Sequence, residues 1–123
     1  MMNQSIKPNG FSLIEVLVAL VILSIALLAL AGLMVYATTS NSFGGHMTEA
    51  TTFAQDKLED LRASSWVSMT PGSDHKQGST GLDFSRRWSV NTNGDGTLRT
   101  VNITVNWNDG VLRSITFLSA VAQ

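Results

Sequence analysis

Residues 16–36 run for 21 positions without a single charge. A bilayer is crossed by about 20 consecutive apolar residues, so this stretch is long enough to span one. A cleaved secretory signal has an apolar core of only about 7–15 residues followed by a small-residue cut site, which fits poorly. A signal anchor fits the length, with Lys7 of the short polar start MMNQSIKPNG held on the cytoplasmic side. Glu15 is what a plain anchor leaves unexplained. It follows Phe11, Leu13 and Ile14 and precedes Val16, Leu17 and Val18. A charge at the centre of a membrane helix costs about 2.5–3.5 kcal/mol, and less towards an edge, so such a carboxylate calls for a partner. Lys7 is one candidate. The other is the amine created on Phe11 of a neighbouring subunit if the chain is cut after Gly10.

The segment Gly10-Phe11-Ser12-Leu13-Ile14-Glu15-Val16-Leu17-Val18-Ala19-Leu20 resembles the cleavage and methylation motif of type IV prepilins. The resemblance implies that a membrane prepilin peptidase cuts between Gly10 and Phe11 and that the new amine of Phe11 is methylated. It also implies that Glu15, fifth in the mature chain, serves assembly with other pilin subunits. Residues 18–33 and 105–115 are similar to minor pilins of the PilV type, and the pseudopilins of type II secretion share the early part. Where many major pilins carry a proline, this chain has Gly32, which weakens a helix by about 1 kcal/mol relative to alanine. The likeness covers residues 1–35 and 99–123 and says little about 64–97.

Beyond the apolar run the composition turns to Ser, Thr, Asn and Gly. Met47, Ala50, Ala54, Leu58 and Leu61 recur at helical spacing and predict one buried stripe. Glu49, Asp56, Glu59, Asp60 and Arg62 fall off it, as a solvated face. The pair Gly44-Gly45 predicts a bend or fray between the two helical halves. Residues 64–85 read as a connecting loop with a turn at Pro71-Gly72. The period then changes to two. Trp88 and Val90 alternate before the Asn93-Gly94-Asp95-Gly96 turn, and Val101, Ile103, Val105 and Trp107 alternate with polar residues. After Asp109-Gly110, a strong hairpin signal, Ile115 and Phe117 continue the pattern. The expectation is an α+β protein: a long hydrophobic helix, continued as an amphipathic one, packed on an antiparallel sheet of about three strands. The organisation is then a leader over 1–10, a transmembrane or filament-core helix over 11–45, and a small extracytoplasmic domain over 46–123. A domain that small buries only about 60% of its unfolded surface, so support from neighbours is expected.

The chemistry is sparse. A net charge of −1 with no basic run argues against nucleic acid. The absence of cysteine removes disulfides and thiolate metal sites. His46 and His75 lack a metal-ligand context, and the Asn93–Gly96 cluster lacks the loop and terminal glutamate of a calcium-binding hand. No nucleophile elbow or phosphate loop is present, so neither an enzyme nor a cofactor is expected. Trp88 and Trp107 are expected in the core, with Trp66 left open between core and adhesive surface. The leading reading is a minor pilin: an inner-membrane precursor with its domain outside the cytoplasm, then part of a surface pilus, with the assembly machinery as partner. A secretion pseudopilin shares the same chemistry. A tip adhesion or uptake module using residues 64–97 is the third reading.

Overall fold

The computed structural model describes residues 9–123, so Lys7 and most of the expected leader lie outside them. The chain forms two compact units, the first ending at Ser40 and the second spanning Asn41–Gln123. One helix, α1 (Leu13–Ala63), accounts for nearly all of the first and begins the second. After a single 3-10 turn at Trp66–Ser68 come β1 (Gly72–Gln77), β2 (Asp83–Thr92), β3 (Leu98–Asn108) and β4 (Leu112–Ala122). They form one antiparallel sheet in the order β1-β2-β3-β4. The class is the expected α+β. The strand count is not, because there are four strands.

The extra strand lies inside the stretch read as a loop. Its helix-facing positions explain why no alternation of apolar residues announced it. Gly72 lies opposite Trp88 and Asp74 opposite Arg86. A Cβ at position 72 would come within 2.6 Å of the Trp88 ring, so glycine lets strand and indole approach. Asp74 forms an ion pair with Arg86, whose Nη1 also donates to the Phe53 carbonyl at 2.6 Å. The Arg86 guanidinium sits 3.8 Å from the centre of the Phe53 ring. Buried charge replaces the apolar signal at this edge of the core.

The rest of the core follows the predicted periods. Val101, Ile103, Val105 and Trp107 of β3 are buried, and Ala50, Phe53, Ala54 and Leu61 of α1 pack with them in one cluster. Met47 and Leu58 of the predicted stripe are partly buried at its margins. Register places Phe84 opposite Trp107 and Phe117 opposite Ile103. Trp88 is partly buried and donates its indole N–H to the Thr70 carbonyl at 2.8 Å. Trp66 is half-buried, with the Arg99 guanidinium 4.7 Å from its ring centre. The β3–β4 connection uses three residues, Asp109, Gly110 and Val111, rather than two. Gly110 has φ 102°, a left-handed conformation that suits glycine.

The fray expected at Gly44-Gly45 does not occur, and α1 is also helical through Gly32. Glycine weakens a helix but keeps its N–H, so the backbone ladder survives when the flanks are held. Here Phe43 and Met47 on either side pack against the core, and the Thr48 hydroxyl bonds the Gly44 carbonyl at 2.9 Å. A Cβ at either glycine meets nothing. Gly44→Ala and Gly45→Ala are therefore expected to stabilise the full chain in detergent by about 0.5–1 kcal/mol each. Denaturant melts check this, and a loss of stability would count against helix at these positions. Asp74→Ala strands the buried guanidinium and should cost about 2–3 kcal/mol, whereas Arg86→Met removes the charge itself and should cost less. The same melts measure both, and the reverse ranking would refute this account of the pair.

Candidate functional site: the start of α1

Ser12 starts the helix. Its carbonyl accepts the N–H groups of Glu15 at 3.1 Å and Val16 at 3.2 Å. Its hydroxyl lies 3.3 Å from the same Glu15 N–H. Serine followed three residues later by glutamate is the sequence form of a capping box, a signal that apolar periodicity does not register. The cap also puts Glu15 in the first turn, where the partial positive charge of the helix N-terminus favours a carboxylate. Glu15 thus has a local structural rationale as well as its expected role in assembly.

The three predicted site residues lie close along the chain. Gly10 and Phe11 precede the helix and are exposed, Phe11 at 84%. Phe11 and Glu15 share one shallow apolar face with Val16, Ala19, Leu20 and Leu23, so a single neighbouring helix can meet both. Among the described residues, no Lys, Arg or His forms an ion pair with Glu15.

The surface beyond them is apolar all the way round. Every residue from Phe11 to Tyr36 is exposed, including Leu17 at 57%, Ile22 at 63% and Leu28 at 73%. Large apolar surface of this extent on a soluble monomer marks a membrane or a protein contact. Among the described residues, one helix is long and apolar enough to cross a membrane, and its apolar part is wholly uncovered. Ser24 satisfies its hydroxyl on the Leu20 carbonyl at 2.7 Å. Thr38 and Thr39 do the same on Met34 and Val35. Such internal bonds let a hydroxyl lie in an apolar medium without an unmet donor.

Residues 7–31 match the family model for the prokaryotic N-terminal methylation motif. This chain carries that motif. The match takes in the capped start, Glu15 and much of the exposed apolar stretch, so these features belong to one pilin-like N-terminal element. No curated protein and no solved structure matches the chain.

In the C-terminal unit, a cluster of titratable groups on α1 fastens the helix to two turns. Glu49 of α1 accepts hydrogen bonds from the N–H, at 2.8 Å, and the hydroxyl of Ser79 in the β1–β2 connection. His46, one helical turn earlier, lies 3.5 Å from Asp109 of the β3–β4 turn and 3.4 Å from the Thr80 hydroxyl. Asp109 also receives the Arg113 Nε–H at 2.9 Å. No group of three or more potential metal-ligating side chains occurs among the described residues. The Ser79 hydroxyl and N–H hold the Glu49 carboxyl below the ordinary glutamate range. Partial burial opposes ionisation of Asp109, but Arg113, His46 and the Val111 N–H together still hold it low. A depressed carboxyl stabilises the fold above its unfolded pKa and loses that contribution as pH falls through the folded value. Melting temperature should therefore fall as pH drops below about 4, the ordinary carboxylate range. Glu49→Gln should melt lower at pH 7 and show a shallower acid limb. Thermal melts of the full chain from pH 3 to 7 test this, and an unchanged acid limb would exclude Glu49 as a contributor.

Proposed function

We propose that this chain is a minor type IV pilin, a structural subunit cut after Gly10 and carried into a filament by its N-terminal helix. The observation that carries the reading is the methylation motif over residues 7–31, continuous with an apolar helix that covers none of its own surface. The likeness of residues 105–115 to the C-terminal hairpin of PilV-type pilins favours the pilus, while the N-terminal part is shared with secretion pseudopilins. In this reading residues 1–10 are the leader, 11–45 hold the precursor in the inner membrane, and 46–123 lie outside the cytoplasm. After cleavage the amine of Phe11 is methylated, and Glu15 of one subunit meets the Phe11 amine of the next, setting the stagger between helices.

The energetics suit assembly by a machine. Lipid is as apolar as leucine, so moving the helix from bilayer to filament yields no hydrophobic gain. Close packing and the neutralised Glu15 must supply cohesion. An unpaired Glu15 inside a packed helical bundle would be costly, which selects neighbours that bring a cation to it.

Mass spectrometry of the N-terminal peptide, from sheared surface filaments and from membranes, tests the proposal. A peptide that begins at methylated Phe11 in the filaments is expected. The same peptide confined to membranes would favour a secretion pseudopilin, and an intact start at Met1 or Met2 everywhere would refute processing at Gly10. Glu15→Ala should leave the chain inserted and cut but reduce its recovery in filaments at least about tenfold, the effect of about 1.4 kcal/mol. Normal incorporation of Glu15→Ala would remove the assembly role.

A further inference from the structure

The two edges of the sheet are built differently. β1 is six residues long, follows Pro71, and carries Asp74, His75 and Lys76. Short length, proline and charge are the usual devices that prevent an edge strand from pairing with another chain. β4 is eleven residues long. Its only charge is Arg113, already paired with Asp109, and residues 114–122 contain no charge, proline or glycine. Ile115, Phe117 and Val121 on its inner face are only partly buried, although they pack against the core. On its outer face Leu112 is 75% exposed and Leu118 72%. A β-prone edge of this length, with one paired charge, an apolar inner row and two exposed leucines on its outer face, is an aggregation hazard unless something pairs with it.

We propose that β4 is a strand-accepting edge, which pairs through its main chain with an extended segment of a different protein subunit. In an antiparallel edge strand alternate residues turn both N–H and C=O away from the sheet, so β4 offers a row of unpaired main-chain groups. Side chains specify the guest. Its inward positions continue the apolar row of Ile115, Phe117 and Val121. An acidic residue belongs near Ser119, because Arg62 of α1 reaches the Ser119 hydroxyl at 2.8 Å and pairs with no carboxylate among the described residues.

A second copy of this chain fits less well. Parallel β4–β4 pairing in register sets Arg113 against Arg113. Antiparallel β4–β4 pairing needs a two-fold axis, which closes on a dimer; its exclusion rests on the filament reading. Pairing with β1 of another copy meets the guarded edge and covers about half of β4. The guest is therefore an alternating apolar segment with an acidic residue, from another subunit.

The test uses the full-length chain with a photo-cross-linking amino acid at Leu118 or, as a control, at His75 on the β1 edge. Cross-links and amide exchange are read in whichever fraction holds the chain, filaments or membranes, and again after dispersal in detergent. Cross-linking from Leu118 to a different subunit is expected, but not from His75. β4 amides should exchange at least about tenfold more slowly before dispersal than after it, with β1 amides unchanged. Leu118→Lys, at an exposed position that does not threaten the fold, should abolish the β4 protection and also the cross-link from a probe placed at Leu112 instead. Arg62→Glu should reduce the β4 protection. Cross-links to another copy of this chain alone would overturn the proposal, as would equal β4 exchange before and after dispersal. These outcomes are independent of the N-terminal peptide, so a processing failure and a failure at β4 are distinguishable.

Discussion

Everything in the C-terminal unit depends on one seam, where Ala50 and Ala54 of α1 meet the inner row of β3. Both alanines are fully buried and share one core cluster with Val101, Ile103 and Val105. Phe53 and Leu61 fill the flanks of the same seam. A sheet with one polar face is not stable alone in so short a chain, and a helix with this stripe has nothing else to bury it against. Burial of the seam explains why helix and meander fold together, and why the glycine pair at 44–45 stays helical between Phe43 and Met47. The Glu49–Ser79 and His46–Asp109 contacts add direction to this greasy contact by tying both nearby turns to α1.

The other half of α1 obeys the opposite rule. Nothing within the described residues covers it, and its leucines, valines and isoleucines look outward on every side. One continuous helix thus carries two surfaces suited to different solvents, the first to hydrocarbon or other helices and the second to a sheet. The backbone hydrogen-bond ladder is common to both, which is what permits the change of surroundings without a break. Glu15 is the exception that gives the apolar half a chemical address, seated where the helix terminus already favours a negative charge.

Much of this was legible from the residues themselves. The 21-residue uncharged run, the Gly10-Phe11 junction with Glu15 at its offset, and the stripe from Met47 to Leu61 are local patterns. Period and spacing report such patterns directly. The alternation of Val101 to Trp107 and of Ile115 to Phe117 likewise placed β3 and β4. Strand β1 escaped because its inner face is Gly72, Asp74 and Lys76, which no alternation test recognises. Nothing in the local sequence marks Arg86 as a core residue, yet it is 7% exposed, because Asp74 and the Phe53 carbonyl reach it from positions 12 and 33 residues away.

The division has a physical cause. The sequence by itself determined the membrane-length helix, its methylation motif and the helix-plus-meander class, since each depends on hydrophobicity or hydrogen bonding over one or two turns or along one strand. The tertiary structure alone decided that Gly44-Gly45 stays helical, that a charged pair completes the core beside β1, and that β4 rather than β1 is the open edge. Those outcomes depend on which distant side chains arrive to offset a local cost, and no window along the chain contains both partners.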